Sequence, residues 1–217
     1  MNKGKFIVFE GCEGSGKTTQ LKRLSNWLES QGISTYCTRE PGGTQLGRQI
    51  REYLLNTDQK IASVTELLLY LADRSEHIAT IKKNLDLGSW VLCDRFSWST
   101  LAYQGYGSGH DLKLLTQLNN FACQQLKPDW TVLLDIDPMI GLGRKQKQGE
   151  MNKFEKENIE FHRKVREGYL KIFEQTLLDQ ETKQALIYCQ SKVNQCREVD
   201  EDTIFNTIVN SFPFELN

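Results

Sequence analysis

Residues 6–19 read Phe-Ile-Val-Phe-Glu-Gly-Cys-Glu-Gly-Ser-Gly-Lys-Thr-Thr, and this stretch constrains the fold more than any other. Four apolar residues suit a buried strand. The loop that follows has the form G-x-x-x-x-G-K-[ST], from Gly11 to Thr18. Gln20, Leu21, Leu24 and Leu28 then continue at helical spacing. A strand, a glycine-rich loop and a helix N-terminus in that order form a phosphate cradle. Its backbone N–H groups are expected to come from Gly11, Cys12, Glu13, Gly14, Ser15, Gly16, Lys17, Thr18 and Thr19. Gly11, Gly14 and Gly16 permit backbone angles and a close approach that a Cβ would block. Lys17 is expected to reach the β/γ-phosphates and the Thr18 hydroxyl to bind Mg²⁺. The motif implies a bound nucleoside triphosphate and leaves the fate of its phosphate open.

A chain of 217 residues is long enough to bury a full sheet, and one α/β domain over 1–217 is predicted. The formal charge of −1 gives no general attraction to nucleic acid or to an anionic membrane. No long apolar run follows the first charged residues, so no signal peptide is expected. No segment approaches the ~20 apolar residues of a membrane span. The six cysteines, at 12, 37, 93, 123, 189 and 196, form no C-x-x-C pair. Free thiols in a reducing cytoplasm are the natural reading. Cys37, Cys93 and Cys189 lie in or beside strand-like runs, where Cys acts as a small buried hydrophobe. Cys12, inside the loop, could be accessible.

Strands are predicted at 6–9, 34–38, 90–93, 131–136 and 185–189. Helices are predicted at 17–30, 45–55, 65–87, 97–104, 112–126, 139–145, 157–178 and 203–209. Such alternation implies a parallel sheet of about five strands, covered on both faces. Its site belongs at the carboxyl edge of the sheet.

Other clusters fall on that edge or near it. Thr38-Arg39-Glu40-Pro41-Gly42-Gly43-Thr44 follows the second strand. Arg39 could grip a phosphate bidentately, or be the surface arginine of a turn. Asp94-Arg95-Phe96 ends the third strand. Asp94 suits a partner of bound Mg²⁺, and Arg95 could bridge donor and acceptor phosphates. An ion pair between these neighbours is the structural alternative. Tyr70 and Arg74 are one helical turn apart, placed either to stack on and bond a base or as a core ring with a solvated arginine. Ser99, Thr100, Tyr103 and Gln104 precede a glycine-rich stretch and suit contacts to a sugar or base, although the pattern alone is weak. The stretch from Gly141 to Gly149 carries Arg144, Lys145 and Lys147 and suits either a mobile lid or a solvated helix end.

In this order the blocks resemble the bacterial thymidylate kinases. The likeness rests on E-G-x-E-G-x-G-K-T-T at 10–19, T-R-E-P-G-G-T at 38–44 and A-x-R at 72–74. It continues with D-R-F at 94–96, S-T-x-A-Y-Q-G at 99–105, L-D-x-x-P at 134–138 and the basic lid, about 141–156. The resemblance implies a P-loop nucleoside monophosphate kinase fold and phosphoryl transfer from ATP to dTMP with Mg²⁺. It implies that Arg39 and Arg95 hold the dTMP phosphate, that Tyr70 stacks on thymine and that Arg74 bonds a thymine carbonyl. Tyr103 would lie where a ribose 2′-OH would go, with Ser99, Thr100 and Gln104 completing the pocket. Glu13 would approach the sugar 3′-OH, and Asp94 would lie by the metal with Thr18. Lys17, Arg95, Arg144 and Glu13 are the catalytic candidates. A homodimer is also implied, and Gln190–Asn217 is expected to border the adenine site.

The lid departs from the family pattern. Only Arg144 keeps a guanidinium, Gln146 and Gln148 stand where arginines are common, and Asn152-Lys153-Phe154-Glu155 replaces D-R-x-E. Ser108 also stands where many relatives carry Arg. Two other classes remain open on sequence: a GTPase switch, from the N-K-x-D-like stretch at Asn152, and a nucleotide binder without catalysis. His77, His110 and His162 have no expected role in the chemistry.

Overall fold

The computed structural model describes residues 3–56, 61–147, 149, 152–179, 185–190 and 200–212. The strands are β1 (Phe6–Glu10), β2 (Thr35–Arg39), β3 (Trp90–Asp94), β4 (Trp130–Asp135) and β5 (Ala185–Gln190). All four pairings are parallel, in the order β2-β3-β1-β4-β5. The helices are α1 (Lys17–Ser30), α2 (Gln45–Leu55), α3 (Ser63–Asp86), α4 (Ser97–Thr100) and α5 (Leu112–Ala122). They continue with α6 (Pro138–Gln146), α7 (Ile159–Leu178) and α8 (Glu201–Ser211).

Period-two alternation in the central strand feeds two cores. Ile7 and Phe9 pack with Leu21, Leu24 and Leu28 of α1 and Ile208 of α8. Phe6 and Val8 pack with Ile78, Ile81 and Leu85 of α3. Each such side chain, fully buried, contributes about 1.5–3 kcal/mol. Short polar caps start several helices: Thr44, Asp111, Asp137, Asn158 and Asp200 each accept a bond from a backbone N–H in the first turn. α1 differs, because it begins at Gly16, at φ 91° and with no side-chain cap. Its first N–H groups therefore face the loop.

Two predicted helices are revised. The one predicted over 97–104 is a four-residue α4 running into a π-helix at Leu101–Gly107. Gly105 and Gly107 permit this wider coil to approach its neighbours. A Cβ on Gly105 would lie 2.5 Å from Leu112, and one on Gly107 would lie 2.6 Å from Phe161. The helix predicted over 112–126 stops at Ala122, because Gln124 and Gln125 take left-handed backbone angles of 46° and 62°. Cys12 is buried rather than accessible, and burial pushes its thiol up to about 12. Cys93, Cys123 and Cys189 are buried free thiols, whereas Cys37 is exposed on edge strand β2. Cys196 lies outside the described residues, as does Gln148. Among the described residues, no helix is long and apolar enough to cross a membrane.

Candidate active site

A cavity of about 690 Å³ opens at the carboxyl ends of β1, β2 and β3. The residues from Glu13 to Gln20 form one wall. Arg39, Tyr70, Arg74, Asp94, Arg95, Ser99, Thr100, Tyr103, Gln104 and Arg144 also line it. Every predicted site residue is therefore on the cavity wall except Gly11 and Cys12, which are buried.

At the loop end, the Lys17 ammonium donates to the carbonyls of Gly11 at 3.0 Å and Cys12 at 2.7 Å. Burial and the nearby Arg95 lower its pKa to about 8. Space is open beside Gly16, where a Cβ would meet nothing within 4 Å. The Thr18 hydroxyl donates to the Asp94 carboxylate at 2.5 Å. A hydroxyl oxygen beside a carboxylate on a cavity wall is a donor set suited to a hard divalent cation. The residues thus fit Mg²⁺.

Arg95 lines the cavity directly after β3. Its backbone is left-handed, at φ 75°, an uncommon state for a side chain of this size. The Arg95 amide donates to Phe9 O at 2.9 Å, which fixes the turn after β3. The guanidinium donates to Gly11 O at 3.0 Å, Glu13 at 2.9 Å, Tyr103 at 3.1 Å, Tyr169 at 3.0 Å and Ser99 at 3.4 Å. The Tyr103 hydroxyl also donates to Glu13, at 2.5 Å. Burial would push the Glu13 carboxyl up, but Arg95, Lys17 and the Tyr103 hydroxyl outweigh it and hold it below the usual range.

Arg74 is not the solvated arginine of the alternative reading. It is buried and donates to Glu40 at 2.7 Å, Thr100 at 2.7 Å, Phe96 O at 2.8 Å and Asn119. A guanidinium has five N–H donors, so one remains for the cavity. Glu40 also bonds His77 at 3.0 Å, and His77 bonds the Thr38 hydroxyl at 2.7 Å. This buried network ties the turn after β2 to α3, and His77 therefore has a fixed structural place. Arg39 is exposed at the cavity edge.

Sequence reasoning missed Arg51, Glu10, Asp73 and the place of Phe154. Arg51 lines the cavity from α2 and donates to Pro41 O at 2.9 Å. One cation on a polar helix face carries no local signal. Phe154 is buried against the rings of Tyr70 and Tyr103, at 6.2 and 5.8 Å. Its neighbour Lys153 bonds Glu66 of α3. The Asn152–Glu155 stretch therefore covers the cavity instead of following a strand as a guanine-reading motif would.

Helix α6 abuts the loop backbone to backbone. A Cβ on Gly14 would lie 2.1 Å from Gly141 O, and one on Gly141 would lie 2.2 Å from Glu13 O. This contact brings Arg144 to the loop, where it donates to Gly14 O at 3.1 Å. Lys145 pairs with Glu155 at 3.4 Å. Of the segment expected to border a base, Asp200, Glu201 and Ile204 reach the cavity.

A sequence model described as thymidylate kinase matches residues 9–189. The thymidylate kinase of Carboxydothermus hydrogenoformans is 51% identical over 171 residues, covering 78% of this chain and 84% of that protein. That of Nostoc punctiforme is 51% identical over 173 residues, covering 78% and 82%. The crystal structure of the Ehrlichia chaffeensis thymidylate kinase superposes with a TM-score of 0.75 at 32% identity, covering 96% of this chain and 98% of that one. With the glycine-rich loop and Arg39, Arg74, Arg95 and Arg144 around one cavity, the chain belongs to the thymidylate kinase family, the nucleoside monophosphate kinases that phosphorylate dTMP to dTDP.

Proposed function

We propose that this chain transfers the γ-phosphoryl group of ATP to dTMP, with ATP in the Gly11–Thr19 loop and dTMP against Arg39, Arg51, Arg95 and Tyr70. The observation that carries the reading is Arg95, which bonds both the loop carbonyl of Gly11 and the acceptor-side Tyr103 hydroxyl. A cation held between donor and acceptor anions screens their repulsion. A phosphate oxygen of dTMP attacks the γ-phosphorus, the bond to the bridging oxygen breaks, and ADP leaves. The nucleophile is already anionic, so the site needs positioning and charge rather than a strong base.

Lys17 reaches the transferred phosphoryl once a triphosphate displaces the carbonyls it now bonds. Thr18 and Asp94 would hold Mg²⁺, which would supply charge neutralisation on the phosphate oxygens. Arg144 is the lid cation assigned to the phosphoryl, supported by its bond to Gly14 O. Glu13 orients Arg95 toward the dTMP phosphate and Tyr103 toward the sugar. The Arg74 N–H left over from its buried network serves the thymine carbonyl. Ser99, Thr100 and Gln104 complete the pocket wall. The lid excludes water, which would compete as acceptor.

The reading includes one kinase domain over 1–217, a lid at about 141–156 and a cytoplasmic location. It also includes a homodimer, favoured by exposed Leu68 of α3 and Phe121 of α5. Sedimentation at micromolar concentration tests the last point. An ATP-coupled assay with dTMP, dUMP, UMP, CMP and AMP tests the function. Turnover on AMP or CMP and none on dTMP would refute it. Binding of ATP and dTMP without dTDP would reveal a chain that has lost catalysis. Arg144→Ala should lower kcat by about 10³, the lower end for a guanidinium acting on a transferred phosphoryl. Lys147, which is off the cavity wall, should tolerate Ala.

A further inference from the structure

We infer that Glu10 is a positioning residue that sets the hydroxyls of Tyr169 and Ser99 to hold Arg95, and that dTMP affinity depends on it. The inference rests on the phosphate-binding reading of Arg95 given above. Glu10 ends β1, is 1% exposed, and does not itself line the cavity. One carboxylate oxygen accepts from the backbone N–H of Phe96 at 2.9 Å and of Ser99 at 3.3 Å. Those amides begin α4, directly after the left-handed Arg95. The other oxygen accepts from the Ser99 hydroxyl at 2.6 Å and the Tyr169 hydroxyl at 3.1 Å.

Both hydroxyl oxygens lie against Nη1 of Arg95, at 3.4 Å for Ser99 and 3.0 Å for Tyr169. A hydroxyl has one proton to donate and lone pairs to accept with. A carboxylate accepts only. The two hydroxyls also bond each other at 2.8 Å, so Glu10 takes at least one of their protons, the other goes to Glu10 or to the neighbouring hydroxyl, and lone pairs are left facing the guanidinium. The same residue fixes the turn that carries Arg95 and the polarity of the groups that aim it. Burial raises the Glu10 pKa, against the Ser99 hydroxyl bond and the charge of Arg95.

Glu10→Gln separates this role from packing. The amide keeps the volume and an oxygen for the two backbone N–H groups. It also presents an NH₂ to the hydroxyls, which turns their protons toward Arg95. The experiment measures KM for dTMP and for ATP, with dTMP affinity by calorimetry, in Glu10→Gln, Tyr169→Phe, Arg95→Ala and the Glu10→Gln/Arg95→Ala double variant. Glu10→Gln is expected to raise KM for dTMP about tenfold, the effect of losing roughly one charge-assisted hydrogen bond. KM for ATP should stay within about twofold. Tyr169→Phe should raise KM for dTMP in the same direction. In the Arg95→Ala background, Glu10→Gln should add less than about threefold.

An unchanged dTMP affinity in Glu10→Gln, where Arg95→Ala loses it, overturns the inference. A tenfold effect that persists without Arg95 overturns it as well, because Glu10 would then act by another route. Equal shifts for ATP and dTMP overturn it in favour of general damage to the loop. If Arg95→Ala itself leaves dTMP affinity intact, the reading of Arg95 fails instead. If Glu10→Gln does not fold, Tyr169→Phe alone and with Arg95→Ala decides by the same non-additivity.

Discussion

Arg95→Ala tests the site and the fold together. The substitution removes a guanidinium that donates to Gly11 O, Ser99, Tyr169, Glu13 and Tyr103. It leaves the Glu13 carboxylate, whose side chain is 9% exposed, without its ion-pair partner. Breaking a buried pair costs about 3–5 kcal/mol. Freeing the arginine side chain returns about 1–2 kcal/mol of conformational entropy. Alanine at φ 75° relieves no backbone strain, because it too has a Cβ. The net loss at pH 7 should be about 1–4 kcal/mol, read from urea midpoints at constant m.

The loss should depend on pH in a defined direction. With Arg95 present, Glu13 has a lowered pKa, so its stabilisation is in force above its unfolded value and fades as pH falls through the folded one. Without Arg95, burial raises the Glu13 pKa, and protonation on going from pH 7 to 4 removes the penalty. The gap between variant and wild type should narrow over that range. Glu13→Gln with Arg95→Ala should recover most of the stability and none of the dTMP turnover. The reasoning fails if Arg95→Ala lies within about 0.5 kcal/mol of wild type at pH 7. It fails also if the gap is flat with pH, or if the double variant is no more stable than the single.

Three further outcomes are expected. Gly141→Ala puts a Cβ 2.2 Å from Glu13 O and must push α6 off the loop, so kcat should fall more than tenfold with the melting temperature little changed; wild-type kcat would refute the lid contact. Asp73 is pushed up to about 6 by burial and by Glu40, so the stability linked to its protonated form is complete below its unfolded value and lost as pH rises through 6. Asp73→Asn keeps an acceptor for Gly42 N–H, and its advantage over wild type should grow by up to about 3 kcal/mol between pH 4 and 8; a pH-independent difference would count against this. Lys17, lowered to about 8, should regain its proton when a triphosphate binds, so calorimetry at pH 8 in two buffers should show proton uptake; buffer-independent heats would contradict it.

The strands were legible because a parallel sheet buried on both faces needs apolar runs, and β1 supplies one with every residue buried. The loop was legible because its glycines answer a local backbone demand. The π-helix was not, since Leu101–Gly107 keeps helical periodicity and the wider coil depends on α7 packing close to Gly107. The end of α5 was hidden for a similar reason, as glutamine gives no warning of a left-handed turn. Arg74 reads as a surface cation beside Tyr70, and only the fold brings Glu40, Thr100 and Asn119 around it. Glu10 sits inside the most recognisable motif, yet its partners are Phe96, Ser99 and Tyr169, up to 159 positions away. Local demands leave a trace in the sequence, whereas partners assembled by topology do not.

The arginine-poor lid follows the same logic. Lysine is a poor substitute for a bidentate guanidinium, but it can tether a lid to the body of the fold. Lys153 is committed to Glu66 of α3, and Lys145 to Glu155 within the lid. Phe154, between them, packs against the rings of Tyr70 and Tyr103. On the proposed reading, these contacts would place the lysine-bearing stretch over the acceptor end. The glycine contact at Gly14 and Gly141 brings α6 and one guanidinium, Arg144, against the loop, which on the same reading is the donor end. Closure and charge delivery would then be divided between two stretches, with Lys153 and Lys145 holding one in place and Arg144 supplying the charge from the other.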